Sequence, residues 1–114
     1  GAKLLEKAGV PSAEAPRILG PLLRSVAENV ETIGFPGALT GPVRRGESAS
    51  VARHGAILTQ ALAEVAPLYW ALVAAQIPLS TALGEAPRDE LRKIRALVDE
   101  HLSPPPVRSA KVRR

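Results

Sequence analysis

The chain has 114 residues, a formal net charge of +4, a hydrophobic fraction of 46% and only 3% aromatic residues. This length predicts a single domain with its own core, and the absence of cysteine excludes disulfide bonds and thiolate metal sites. No signal peptide is visible, and no apolar run approaches the roughly 20 residues that cross a bilayer, so we expect a cytoplasmic protein with no membrane partner.

The first half of the chain predicts two helices and a loop. The opening segment reads as the end of a helix that closes at Gly9, which suggests a domain cut from a longer protein. A helical stripe of apolar residues then runs from Ser12 to near Gly34, with a kink or a junction of two helices expected at Gly20-Pro21. Residues 35–46 are predicted to be an irregular loop.

The second half predicts three more helical segments. Ser48 or Ser50 is expected to cap the first, which ends near Pro67. Residues 68–83 are apolar nearly all round, which indicates a central, buried helix that bends or breaks at Pro78. An amphipathic helix after Pro87 completes the body. No segment alternates as a strand does, so the predicted fold class is all-α.

The net charge comes from the end of the chain. Four of the 15 basic residues lie within 103–114, and the other 11 match the 11 acidic residues of the body, 1–102. The tail is predicted to be disordered and solvated, since no aromatic residue is interleaved with its charges. We therefore expect no nucleic-acid partner.

The polar loop is the first candidate site. Thr40, the backbone near Gly41 and the planar guanidinium of Arg45 can bind a carboxylate or phosphate, with Glu47 beside them. In the alternative interpretation, Thr40 and Glu47 cap backbone groups, or Glu47 pairs with Arg45, and the arginines are solvated.

A longer pattern carries a family resemblance. Asn29, Gly34, the run Ala-Leu-Thr-Gly-Pro-Val-Arg-Arg-Gly-Glu at 38–47 and then His54 resemble the C-terminal helical domain of a group of Rossmann-like proteins. These proteins are similar to pyrroline-5-carboxylate reductases, ketopantoate reductases and 6-phosphogluconate dehydrogenases. The pattern of that group ends its loop in Arg-Gly-Asp, whereas this chain has Glu47.

The resemblance implies a fold, a partner and a cofactor. The fold is a helical bundle like the C-terminal domain of 6-phosphogluconate dehydrogenase, spanning residues 1–102 and forming a homodimer. NAD(P) would be bound by an N-terminal nucleotide-binding domain absent from this chain, and this chain alone would bind none. A small anionic substrate would lie in the cleft between the two domains.

Two further residues are candidates for the chemistry. Asn29 can orient a substrate carbonyl or cap a turn, and His54 can donate a proton to a carbonyl. A partly buried His54 that hydrogen-bonds a loop carbonyl is the preferred alternative. For Tyr69 and Trp70, core packing with one hydrogen bond each is preferred over a Tyr69 hydroxyl in the cleft.

The expected function is therefore that of a C-terminal dimerisation and substrate-cleft domain of an NAD(P)-dependent oxidoreductase. Its substrate would be a small oxo acid or an imine. The alternative is a non-catalytic helical module that dimerises or binds a partner.

Overall fold

The computed structural model describes residues 1–103, which form helices joined by short loops, with no strand in this range. The predicted all-α class is thereby confirmed, whereas the predicted tail lies outside the described residues, apart from Ser103. The helices are α1 (Ala2–Lys7), α2 (Ala15–Ile33), α3 (Pro42–Arg45), α4 (Ser48–Ala61), α5 (Ala66–Leu83) and α6 (Arg88–Leu102).

The core lies where α3, α4 and α6 meet α5. Trp70, Ile94 and Val51 are its largest fully buried apolar side chains, and each comes from a different helix. Burying large apolar side chains of this kind contributes roughly 1.5–3 kcal/mol each to the free energy of unfolding. The body of the protein is therefore the packing of α6 and α4 on α5, with α3 attached to one side.

Only one face of α5 is buried, so the expectation of a helix buried on all sides is wrong. Trp70, Val73 and Ile77 face the core, but Leu68 and Leu72 are 60% and 54% exposed. Pro78 lies within α5 and does not end it. A proline inside a helix removes one backbone hydrogen bond and crowds the carbonyl four residues earlier, but α5 continues for five residues beyond Pro78 and packs against α6.

By length and composition alone, α5 could also cross a membrane. Its 18 residues have a mean hydropathy of 1.2 and include no charged side chain. This apolar run is longer than we expect from the sequence. The same properties are typical of a core helix, and α5 supplies Trp70 and Val73 to the core.

The second helix, α2, leaves most of its apolar face uncovered. It runs without a break from Ala15 to Ile33, so the alternative of two abutting helices at Pro21 is wrong. It packs chiefly against α1. Of the twelve large apolar side chains that are exposed within residues 1–103, seven lie on α2 or just after it: Ile18, Leu22, Leu23, Val26, Val30, Ile33 and Phe35.

Candidate functional site

The loop between α2 and α4 is more ordered than the sequence predicts. Gly34 ends α2 by donating its N–H to the Val30 carbonyl, and it has a positive φ of 72°. After it, the chain makes a turn and then the single helical turn α3, where an irregular loop is predicted. Val43 on α3 is only 3% exposed. One apolar side chain thus fixes the middle of the loop in the core.

Two contacts hold α3 on the body. The buried hydroxyl of Ser80 on α5 donates to the Val43 carbonyl at 2.9 Å. Gly46 then ends α3 in the left-handed region, with φ 69°, and a Cβ there would lie 3.0 Å from the Cβ of Ala86 and 3.1 Å from Cδ of Pro87. Both the φ angle and the close approach favour glycine at position 46.

Arg44 has a structural role that the sequence does not reveal. One of its terminal nitrogens donates to the carbonyls of Gly37 and Leu39, at 2.9 and 2.7 Å. Its other nitrogens donate to the two carboxylate oxygens of Glu85, each at 3.2 Å. Arg44 therefore closes the loop onto itself and ties it to the start of the segment that leads into α6.

Arg45 and Glu47 bind each other at the surface. Arg45 Nε donates to Oε1 of Glu47 at 2.7 Å, and a terminal nitrogen donates to Oε2 at 3.2 Å. The hydrogen bonds from Arg45 lower the pKa of the Glu47 carboxyl. The alternative in which Glu47 pairs with Arg45 is thus the one that the structure contains. An anion that binds Arg45 has to displace this carboxylate or share the guanidinium with it.

Thr40 and Gly41 lie at the outer edge of the loop. The Thr40 side chain is exposed and its hydroxyl makes no hydrogen bond within residues 1–103, so the interpretation of Thr40 as a cap is wrong there. Gly41 precedes α3 with a positive φ of 94°. The Arg45 N–H donates to the Gly41 carbonyl at 3.4 Å, so this edge belongs to the same turn of chain as the Arg45–Glu47 pair.

The start of α4 is capped from another helix, so the predicted cap by Ser48 or Ser50 is wrong. Both the backbone N–H and the hydroxyl of Ser48 donate to one carboxylate oxygen of Glu90 on α6. The other oxygen accepts from Lys93 at 2.8 Å. Hydrogen bonds from Lys93 and then from Ser48 lower the pKa of Glu90 to about 2. No local spacing in the sequence points to an acid 42 residues away.

His54 lies in a second place, an apolar groove beside α4. The groove has a volume of about 250 Å³ and is lined by Leu4, His54, Ile57, Leu58 and Tyr69. The His54 side chain is exposed and makes no hydrogen bond within the described part of the chain. The preferred interpretation of His54 as a partly buried donor to a loop carbonyl is therefore wrong, and its ring is accessible to a ligand.

Asn29 lies on the uncovered side of α2. It follows Val26 by three residues and precedes Ile33 by four, which places it on the apolar face of the helix. Its side chain is half-buried. In residues 1–103, no hydrogen bond or ion pair joins Asn29 or His54 to the loop, so the structure does not bring the candidate residues into one contact network.

The aromatic residues are mostly structural. The Tyr69 hydroxyl donates to the Val51 carbonyl at 3.3 Å, and burial raises the pKa of Tyr69. Trp70 packs edge-on against Tyr69, and its buried indole N–H has no hydrogen-bond partner among residues 1–103, contrary to the expectation of one hydrogen bond each. The ring of His101 on α6 stacks on Trp70 with centroids 4.2 Å apart.

Metal binding has no support among the described residues. Within 1–103, no group of three or more histidine, aspartate or glutamate side chains could hold an ion.

Comparisons with known proteins place the chain in a family. No curated protein and no solved structure matches it. A family model described as Domain of unknown function (DUF2520) matches residues 1–76, which include α1 to α4, the loop and more than half of α5. The match covers well over half of the chain, and the protein therefore belongs to the DUF2520 family.

Proposed function

We propose that this chain is the C-terminal dimerisation and substrate-cleft domain of an NAD(P)-dependent oxidoreductase that acts on a small oxo acid or imine in the cytoplasm. Three things support the proposal. The chain belongs to the DUF2520 family, its residues 29–54 resemble the helical domain of ketopantoate reductase-like and related proteins, and α2 has an uncovered apolar face. Neither nucleic acid nor a membrane is part of this proposal.

The observation that carries most weight is the exposure of α2. A soluble helix with a strong apolar stripe normally buries that stripe against another element. Here Leu22, Leu23 and Val26 are 58%, 70% and 59% exposed. A second apolar surface, on the outer side of α5, is free of charge. A second copy of the chain and a neighbouring nucleotide-binding domain would together cover these surfaces.

The described residues do not fit a nicotinamide nucleotide. Pyrophosphate in such sites lies on a glycine-rich turn between a strand and a helix, and residues 1–103 contain no strand. In this proposal NAD(P) is therefore held by a domain outside the chain, where it supplies the hydride chemistry. The residues described here bind and orient the substrate.

The loop would hold the anionic end of that substrate. The Arg45–Glu47 pair is a surface pair, with side chains 57% and 42% exposed. Pairs of this kind contribute only about 0–1 kcal/mol, so a substrate carboxylate can compete with Glu47 for the guanidinium. The Thr40 hydroxyl and the Gly41 backbone belong to the same loop as Arg45 and would donate further hydrogen bonds to the substrate.

Asn29 or His54 would act on the other end of the substrate. The Asn29 amide can donate a hydrogen bond to a carbonyl oxygen or an imine nitrogen; alternatively, His54 can deliver a proton to that atom. His54 lies in the 250 Å³ groove, where it has no partner within residues 1–103 that would hold its ring. The groove would take the apolar part of the substrate.

A test requires the whole protein that contains this chain. NADPH consumption would be measured with a panel of small oxo acids and imines, first for the wild type and then for Arg45→Ala, Asn29→Ala and His54→Ala. We expect Arg45→Ala to raise KM for the anionic substrate, and at least one of the other two to lower kcat. Arg24→Ala, which removes an exposed arginine on the polar face of α2, is the control and should leave both constants unchanged. No NADPH binding by the whole protein would contradict the proposal.

The second candidate is a non-catalytic helical module that dimerises or binds a partner. It is favoured by the Arg45–Glu47 pair, since a guanidinium already paired within its own loop needs no ligand. In that case the whole protein would still dimerise, but NADPH would not bind. Measuring NADPH binding by the whole protein therefore distinguishes the two functions.

A further inference from the structure

A groove between α5 and α6 has arginines along one wall. Its volume is about 340 Å³, and it shares no lining residue with the loop or with the His54 groove. It is lined by Ile77, Thr81, Arg88, Leu91, Arg92 and Arg95.

The three arginines form one continuous stripe. Spacings of four and then three residues place Arg88, Arg92 and Arg95 on the same face of α6. All three are exposed, and none lies within 4.0 Å of a carboxylate in the described part of the chain. Lys93, by contrast, is paired with Glu90. The stripe is therefore an uncompensated positive surface on a body whose total charge is balanced.

Such a stripe has a local cost for the helix. Like charges four residues apart, such as those of Arg88 and Arg92, destabilise a helix. Asp99 is the acid on this face of α6, one turn beyond Arg95, and it forms no ion pair within residues 1–103. Because Asp99 is a single carboxylate at the end of the stripe, the two turns of α6 that precede it remain strongly basic.

The dimensions of the groove define the ligand. The seven steps from Arg88 to Arg95 rise about 10 Å along the helix, so the stripe matches a row of anionic groups better than a single carboxylate or phosphate. Between the arginines and α5, the edges of Ile77 and Leu91 supply an apolar strip, although each side chain is only 8% exposed. The ligand thus needs several negative charges in a row and an apolar group between them.

We propose that this groove binds an acidic peptide segment of a partner protein. Its carboxylates pair with Arg88, Arg92 and Arg95, and an apolar side chain covers Ile77 and Leu91. Arginine suits this role because its planar fork binds carboxylates with two hydrogen bonds. A nucleic acid fits less well, because no aromatic side chain lines the groove and bases would have nothing on which to stack. This site is independent of the oxidoreductase proposal.

The test is a titration with a labelled helical peptide. The probe carries glutamates one turn apart with leucines between them, and binding to the full chain is followed by fluorescence anisotropy. The triple variant Arg88→Gln, Arg92→Gln, Arg95→Gln should bind about tenfold more weakly, as expected from the loss of three surface ion pairs. A control triple, Lys7→Gln, Arg17→Gln, Arg24→Gln, removes the same charge from exposed positions of α1 and α2 and should change affinity less than twofold.

Two matched peptides separate charge from apolar contact. Replacing the glutamates by glutamine should abolish binding, and replacing the leucines by serine should weaken it. Equal losses for the two triple variants would overturn the proposal, because binding would then follow net charge alone. Tighter binding of a single-stranded oligonucleotide, lost in the groove variant, would also overturn it. Circular dichroism of each variant verifies that the helices are intact.

Discussion

Gly55 on α4 lies directly against the indole ring of Trp70 on α5. A Cβ at position 55 would be 2.2 Å from Cζ2 of Trp70 and 2.9 Å from Cη2. The Trp70 side chain is only 1% exposed and is thus enclosed by the core. The absence of a side chain at position 55 is therefore what lets the two helices approach each other at the centre of the core.

We predict that Gly55→Ala destabilises the protein. Alanine normally stabilises a helix relative to glycine by up to about 1 kcal/mol, but overpacking of a core costs typically 1–3 kcal/mol and should prevail here. The measurement is urea unfolding followed by far-UV circular dichroism. The control is Gly20→Ala on α2, where no atom lies within 4 Å of the new Cβ, so stability should be equal or higher. Equal stability of both variants would contradict the packing argument.

We predict that Glu90 makes the stability of the protein depend on acid pH. The pKa of Glu90 is about 2 in the folded state and close to 4.5 when unfolded, so the folded state favours the ionised carboxylate. Its contribution is complete above about pH 5 and is lost as the pH falls toward 2. Glu90→Gln should lower the urea midpoint at pH 7 and have little further effect near pH 2.

The control for that prediction is Glu31→Gln, an exposed carboxylate on α2 with no hydrogen bond or ion pair in residues 1–103. It should leave the urea midpoint unchanged at pH 7. If Glu90→Gln shifts the midpoint by the same amount at every pH, the carboxylate of Glu90 does not act through its charge.

We predict that Arg44 stabilises the loop and that its neighbour Arg45 does not. Arg44 donates to two loop carbonyls and to Glu85, so Arg44→Ala should lower the thermal midpoint and speed amide hydrogen exchange in residues 35–41. Within the described residues, the Arg45 side chain donates hydrogen bonds only to Glu47, so Arg45→Ala should leave both quantities near the wild-type values. Faster exchange in the Arg45 variant alone would contradict these assignments.

We predict that α2 forms part of the homodimer. Val26→Glu places a charge in the centre of its uncovered apolar face and should convert a dimer into a monomer, as measured by light scattering after size-exclusion chromatography. Arg24→Glu alters the polar face of the same helix and should leave the dimer intact. A dimer that survives Val26→Glu would exclude α2 from the interface.

Cysteine cross-linking can then identify the contact, because the chain contains no cysteine. We expect the exposed face of α2 to pack against the uncharged face of α5 in the second copy. A mixture of Val26→Cys and Leu72→Cys chains should then form a disulfide between the two variants under oxidation. Cross-linking of Val26→Cys with itself would indicate α2 against α2 and contradict this arrangement.

The helices could be predicted from the sequence because their signals are local. Apolar spacing, Gly34 and Gly84 as stops, and the absence of strand alternation are all contained within a few residues. The burial of α5 was overestimated because apolar composition does not tell which side of a helix faces another element. Leu68 and Leu72 look the same in sequence as the buried Val73.

The candidate site was predictable only as a set of residue types. The Arg45–Glu47 pair was among the alternatives because its partners are two residues apart. The hydrogen bonds from Ser80 to Val43 and from Ser48 to Glu90 join residues about 40 positions apart, and no periodicity indicates them. These hydrogen bonds form only because α3 and α6 pack against the other helices.

The family match and the folded core end at different residues, because α6 completes the core. These two boundaries are often assumed to coincide. The family match ends at residue 76, within α5, and α6 lies entirely beyond it. Ile94 and Val98 of α6 complete the cluster that contains Trp70. The segment that defines the family is thus shorter than the segment that folds. A truncated chain ending at residue 76 would lose the last two turns of α5 and expose the indole, so expression of this domain should extend at least to Leu102.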